Sequence, residues 1–388
     1  IPTENDTRID DLLHAAVNSR GTFVAANDPD EFTRGLRDAL ATIVDRTGSA
    51  SSVATNSTSF DAGSRIFQAT YIGGQWAGDV VSYAVSASGV AATPEWRASA
   101  LIPAAGPRRI FTRVGTAGAE FLWDNLSTAQ RTALGSQAVL NYLRGDRSNE
   151  RQNGGTLRDR NTVLGDIVHS SPVYSRDTQT LFVGANDGKL HAFNALTGQE
   201  RFAYVPSNIN WNDLATLSSP TYTHRYFVDG ELALSGRVRF AGDTSDKIML
   251  VGALGRGGRG LYALDVTTPA TFGATHVRWE RRPTDTGFGN LGNVLGKPLI
   301  TKVRTGSNTV VDAVIVGNGY NSTNHASSLL VINLQTGAII REFAVGTGTA
   351  ASPNGMSTPR GWDVDGDGIV DYIYAGDLQG NLWKFQLF

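Results

Sequence analysis

The chain has 388 residues, a net charge of −2, 44 glycines and no cysteine. That length allows one large domain or two ordinary ones, and the scattered Lys and Arg leave no electrostatic footprint for nucleic acid. Without cysteine there is no disulfide, zinc-thiolate site or cysteine nucleophile, and no apolar run approaches the roughly 18 residues of a membrane-spanning helix.

Residues 1–47 read differently from the rest. Arg8–Ala16 has a helical pattern and Gly21–Ala25 is a short strand. Asp28-Pro29-Asp30 caps a second helix with apolar Phe32, Leu36, Leu40 and Ile43 down one face. This small α/β segment resembles the last unit of a von Willebrand factor A-type domain. It is too short to fold alone, so it is expected to be the tail of a domain lying upstream, in a fragment or processed form of a longer secreted protein. The Ser- and Thr-rich stretch 48–60 reads as a linker.

From residue 61 to 388 the signal is mainly β. Arg65–Tyr71 and Asp79–Ser86 pair around Gly73-Gly74, and Arg109–Val114 and Glu120–Trp123 are further strands. A helical insert over 127–145 starts at the N-cap candidate Ser127. It ends on Arg144-Gly145-Asp146. On an exposed loop that tripeptide would engage an integrin, its Asp coordinating the integrin's metal. The plainer reading is a helix stop at Gly145.

An internal repeat follows. Leu181-Phe-Val-Gly184…Gly188…Leu190…Phe193 matches Ile373-Tyr-Ala-Gly376…Gly380…Leu382…Phe385 in the spacing of Gly, Gly, Leu and Phe. Between them lie Met249–Gly252 with Leu261–Asp265, and Val314–Gly317 with Leu329–Ile332. Each copy is a strand, a Gly-rich turn and a second strand, several times closed by a Thr-Gly or similar turn. Radially repeated units of this kind are propeller blades. Gly255-Arg-Gly257-Gly-Arg-Gly260 matches the dinucleotide fingerprint, but a strand follows where a helix is required, so it reads as a turn.

The densest chemistry lies at Asp363-Val-Asp365-Gly-Asp367-Gly368-Ile369-Val-Asp371. Ca²⁺ takes six to eight oxygens at roughly 2.3–2.6 Å. Asp363, Asp365, Asp367 and Asp371 offer side chains at the first, third, fifth and ninth places, and Ile369 its carbonyl at the seventh. Gly368 permits the sharp turn. Four acids this close would repel one another without a cation. An EF-hand would carry a bidentate Glu at the twelfth place and flanking helices, whereas Tyr374 stands there within an alternating strand. Replacement of Asp367 by Ala is expected to abolish calcium binding. Such a loop points to an extracellular or periplasmic setting.

Other chemistry finds no support. There is no Gly-x-Ser-x-Gly elbow and no His-Glu-x-x-His. His169 and His191 read as packing residues of repeat strands, and Asp166, Asp187 and Asp377 as makers of local turn bonds. The blade pattern resembles quinoprotein dehydrogenases, which clamp their quinone between an indole and a vicinal disulfide. With no cysteine, no quinone and no enzyme activity are expected.

Leu164-Gly-Asp-Ile-Val-His-Ser-Ser-Pro172, Phe182–Phe193, Gly258–Val266 and Asp363–Phe385 together resemble the PilC/PilY family of type IV pilus proteins. The resemblance runs from about residue 60 to the end. It implies a modified β-propeller of quinoprotein type on a large secreted protein, at the cell surface or pilus tip, in transit through the periplasm or at the outer membrane. Pilin or minor pilins would be its partners. In that family a calcium loop governs pilus extension against retraction, and its ligand places fall on Asp363, Asp365, Asp367, Ile369 and Asp371. Family members also act as host-cell adhesins, some through an Arg-Gly-Asp such as Arg144–Asp146. Family propellers usually continue past the calcium blade, so an incomplete ring is expected here. A purely structural calcium, as in integrin α-chain propellers, is the rival expectation.

Overall fold

Runs such as Leu181–Ala185 and Met249–Ala253 carry no polar side chain, so the strands they form must be covered on both faces. The computed structural model describes residues 48–55, 64–86, 89–306, 309–346 and 348–387. The chain divides into two compact units, Ile1–Ser49 and Ala50–Phe388. The A-type segment read over 1–47 lies outside the described residues.

Among the described residues, five sheets follow one another along the chain. The first has β1 (Gly48–Thr55), β2 (Arg65–Ile72), β3 (Ala77–Ser86) and β4 (Gly89–Val90) in order, with β5 (Trp96–Arg97) also on β3. The second combines β6 (Ile110–Val114), β7 (Ala117–Glu120), β8 (Val173–Ser175), β9 (Thr180–Ala185), β10 (Lys189–Asn194) and β11 (Glu200–Val205) in the order β7-β6-β11-β10-β9-β8. Its β6 and β11 run parallel, pairing Ile110 with Ala203 and Thr112 with Val205. The third is β12 (Leu232–Val238), β13 (Lys247–Ala253), β14 (Leu261–Asp265) and β15 (Val277–Arg281), an antiparallel meander. The fourth repeats it with β16 (Leu299–Gly306), β17 (Thr309–Gly317), β18 (Ser328–Asn333) and β19 (Ile339–Ala344). The fifth has β20 (Arg360–Trp362), β21 (Tyr372–Gly376) and β22 (Leu382–Gln386).

Alternation along each strand sends successive side chains to opposite neighbours. Leu181 and Val183 pack with Phe67 and Val80 of the first sheet, whereas Phe182 between them joins Leu250 and Leu264 of the third. Met249 and Val251 pack on Val314 and Leu330 of the fourth sheet. Ala313 and Ile315 in turn meet Ile373 and Phe385 of the fifth. Each sheet therefore shares a core with the one before and the one after it, the packing of consecutive blades.

Two indoles reinforce this stacking. Trp96 of β5 donates its Nε1–H to Ala195 O at 3.2 Å, and Trp279 of β15 donates to Leu334 O at 2.9 Å. Each ring lies against a Thr-Gly turn of the next sheet, and a Cβ on Gly337 would fall 2.6 Å from the Trp279 ring. Asn194 and Asn333 brace these turns by accepting from the N–H of Leu196 and of Thr336, both at 2.9 Å. The recurring Thr-Gly of the sequence is thus a seat for the preceding sheet's tryptophan.

The insert is two helices, α1 (Thr128–Leu134) and α2 (Gln137–Arg144). Ser127 and Gln130 form a reciprocal capping box, and Gly145 ends α2 in the left-handed region. Two readings need correction. Part of the 48–60 linker is strand β1, where half-buried Ser52 and Ala54 alternate with exposed Val53 and Thr55 and Ser52 Oγ donates to Ser170 O. The strand read at Glu120–Trp123 is β7 at Ala117–Glu120, because the tight turn at Gly115-Thr116 sets its register by pairing Val114 with Ala117.

Candidate metal centre

The loop between β20 and β21 is shaped by its own carboxylates. Asp363 accepts from the N–H groups of Gly366 and Gly368, both at 2.8 Å, and Asp367 from that of Ile369 at 2.8 Å. Asp365 accepts from the Asp367 N–H at 3.2 Å, and Asp371 from the Val364 N–H at 2.9 Å. The Gly368 N–H, joined by that of Gly366, holds the half-buried Asp363 carboxyl below its usual range. Gly368 has φ of +82°, which suits glycine and folds the chain back on itself.

Carboxylate oxygens of Asp363, Asp365 and Asp371 all lie within 4.8 Å of one another. Ligands on opposite sides of a calcium ion would be about 5 Å apart, so this donor set fits a hard dication. Asp367 is placed differently. Its Oδ2 is ion-paired with Arg304 Nη2 on β16, and the pair is only partly buried. The seventh place is pinned to that same strand. Ile369 bridges Lys302 in parallel fashion, and the Val370 N–H donates to Lys302 O at 3.0 Å. Nothing in the sequence marked Arg304, which lies 63 positions from its partner.

Arg144-Gly145-Asp146 is not an exposed arm, which corrects that expectation. The Arg144 guanidinium is buried and donates to Phe121 O at 2.9 Å and to Ala105 O and Arg108 O at 3.0 Å each. Arg160 holds the Asp146 carbonyl at 2.8 Å, and the Asp146 side chain accepts from the Ser148 N–H at 2.8 Å. The segment is the helix stop that Gly145 allowed, fastened from both sides.

A buried charge cluster was missed by sequence reasoning. Arg108 grips Glu200 through Nε at 2.6 Å and Nη2 at 2.8 Å. His191 faces Glu200 through Nδ1 at 2.7 Å and Asp187 through Nε2 at 3.1 Å. Lys189 Nζ is 3.3 Å from Asp187 Oδ2. Burial would lower the His191 pKa, but a carboxylate on each ring nitrogen, Asp187 and Glu200, raises it above its ordinary value. Burial would push the Asp187 carboxyl up, but Lys189 and His191 pull it far below its ordinary range. Arg108 does the same for Glu200 against the same opposition. Burial lowers Lys189 to about 8. Asp187 is therefore a core ion rather than the turn-capping acid read from the sequence. Asp377 does make local bonds, accepting from the N–H of Gln379 and Asn381. Asp166 instead accepts from Asn186 and His224. His169 lies in a loop, not a strand, with Nδ1 2.8 Å from Asp229.

A family model described as the PilY1 beta-propeller domain matches residues 165–388. Type IV pilus biogenesis factor PilY1 of Pseudomonas aeruginosa (strain PAK) is 36% identical over 438 residues, covering 97% of this chain and 36% of that protein. A PilY1 homolog of Xylella fastidiosa (strain Temecula1) is 36% identical over 398 residues, covering 94% of this chain and 30% of that protein. The crystal structure of the P. aeruginosa PilY1 C-terminal domain shares 40% identity over 54% of this chain and 38% of that one, with a TM-score of 0.44. The chain spans about a third of the length of these curated relatives. The stacked antiparallel sheets are blades of the modified β-propeller that the sequence led us to expect. Since the matched stretch exceeds half of its length, this chain belongs to the PilY1 β-propeller family.

Proposed function

We propose that this chain is a non-enzymatic, calcium-binding propeller that serves type IV pilus biogenesis, with ion occupancy shifting the balance of pilus extension and retraction. The observation that carries this reading is the convergence of Asp363, Asp365 and Asp371 in a loop tied through its backbone to the neighbouring sheet. Calcium would be held by those three side chains, the Ile369 carbonyl and Asp367. The names of the relatives support the type IV pilus setting, and in this reading the chain works at the cell surface or pilus tip, with pilins or minor pilins and a host receptor as partners. Among the described residues no helix is long and apolar enough to cross a membrane. Five backbone N–H groups already shape the loop. That favours a reversible ion over one needed to hold the fold.

Calorimetric titration of EGTA-treated protein, with thermal unfolding in parallel, tests the proposal. One calcium per chain is expected, adding about 2.7 kcal/mol of stability at a hundredfold excess over Kd. Asp363→Ala is expected to weaken binding by about a hundredfold or more, roughly 2.8 kcal/mol. Unchanged affinity in that variant would remove the loop as the site. A protein that unfolds on calcium removal would point to a structural ion instead.

A further inference from the structure

We propose that Arg304 is a built-in rival of the ion, holding Asp367 in competition with a divalent cation at the loop. The inference rests on the calcium reading above and adds a second participant from the fourth sheet. Asp367 is the one acid of the motif that stands apart from the other three, and its Oδ2 is taken by the Arg304 guanidinium. Asp367 Oδ1 already accepts from the Ile369 N–H at 2.8 Å, which leaves Oδ2 as the oxygen for an ion, and Arg304 holds that oxygen. A guanidinium has only donors and cannot be deprotonated in a protein, so it contributes no ligand to a metal and is repelled by one. Binding that recruits Asp367 through Oδ2 must therefore displace the guanidinium.

The backbone makes this exchange local. Lys302, two residues from Arg304 on β16, is bridged to Ile369 and accepts from the Val370 N–H. The seventh and eighth places of the loop thus stay in register with the strand while a side-chain contact changes. The pair is accessible, with 40% of the Arg304 side chain and 32% of that of Asp367 exposed, so little energy opposes its opening. The consequence is a two-position element. Asp367 either links the fifth sheet to the fourth through Arg304 or turns to the ion and leaves a free guanidinium on β16. A ligand shifts such an equilibrium only through different affinity for the two positions, and the dication supplies that difference.

The test is calcium calorimetry on the whole chain with Arg304→Gln, using Lys302→Gln as the control. Lys302 carries the same charge on the same strand, but its Nζ pairs with Asp312 at 3.1 Å. Arg304→Gln is expected to raise calcium affinity about two- to fivefold, the span of an exposed ion pair, while Lys302→Gln changes it less than half as much. An equal gain in both variants would mean general charge repulsion and would overturn the proposal. So would no gain in Arg304→Gln while the unsubstituted protein binds normally. Failure of the unsubstituted protein to bind calcium would overturn the underlying reading as well, and that outcome is distinct from the other two.

Discussion

The Glu200→Ala protein is expected to lose about 3–5 kcal/mol of stability, the usual consequence of removing one partner of a buried ion pair. Glu200 is enclosed and bound by Arg108 at 2.6 and 2.8 Å and by His191 at 2.7 Å. Its removal leaves two cations in the core beside Lys189, with Asp187 as the remaining anion. Urea unfolding measures the loss, and a value below about 1 kcal/mol would mean that water reaches the cluster and solvates it. The cluster also sets a pH dependence. Asp187 and Glu200 have folded pKa values depressed below the ordinary carboxylate range. A depressed acid contributes stability that is complete above its unfolded pKa, about 4, and is lost as pH falls through the folded value. The native protein should therefore weaken in acid below about pH 4, and Glu200→Ala should show a shallower decline there.

Trp279→Ala is expected to be as damaging, at about 3–5 kcal/mol for a large buried aromatic. The indole is 2% exposed, fills the core between the third and fourth sheets, and seats against Gly337. Trp279→Phe separates the two contributions. It retains most of the apolar volume but leaves Leu334 O without its donor, for an expected loss of about 1–3 kcal/mol. If the Phe and Ala variants were equally unstable, the hydrogen bond rather than ring packing would hold the sheets together. Trp96 makes the corresponding contact between the first and second sheets, so the two positions should add when both are changed.

What could be read in the sequence is what depends on nearby residues. The acidic loop is a nine-residue pattern whose carboxylates are spaced along one turn, and the capping box needs only Ser127 and Gln130. The strands of the repeat show through because each blade buries both faces and so writes an apolar run such as Met249–Ala253. Contacts between distant positions left no such trace. Arg108 and Glu200 are 92 residues apart, and Trp96 and Ala195 are 99. Burial converts Asp187, Lys189 and His191 from ordinary surface residue types into a core network, and a single sequence does not record burial. One signal was available and unread. Asn194 and Asn333 each stand three residues before a Thr-Gly, a recurrence that marks a docking turn rather than a generic strand end.

The parallel seam of β6 with β11 has a consequence for how the molecule tolerates change. Everything from Phe121 to Pro172 departs from one sheet and returns to that same sheet. On the way it buries Phe121, Leu140 and Leu143 in one core and Leu164 and Ile167 in another. Its ends, after β7 and before β8, lie at the two opposite edges of that sheet, with four strands between them. The seam of β6 with β11 keeps the ladder continuous if this strap is nicked, whereas shortening it is expected to uncover both cores.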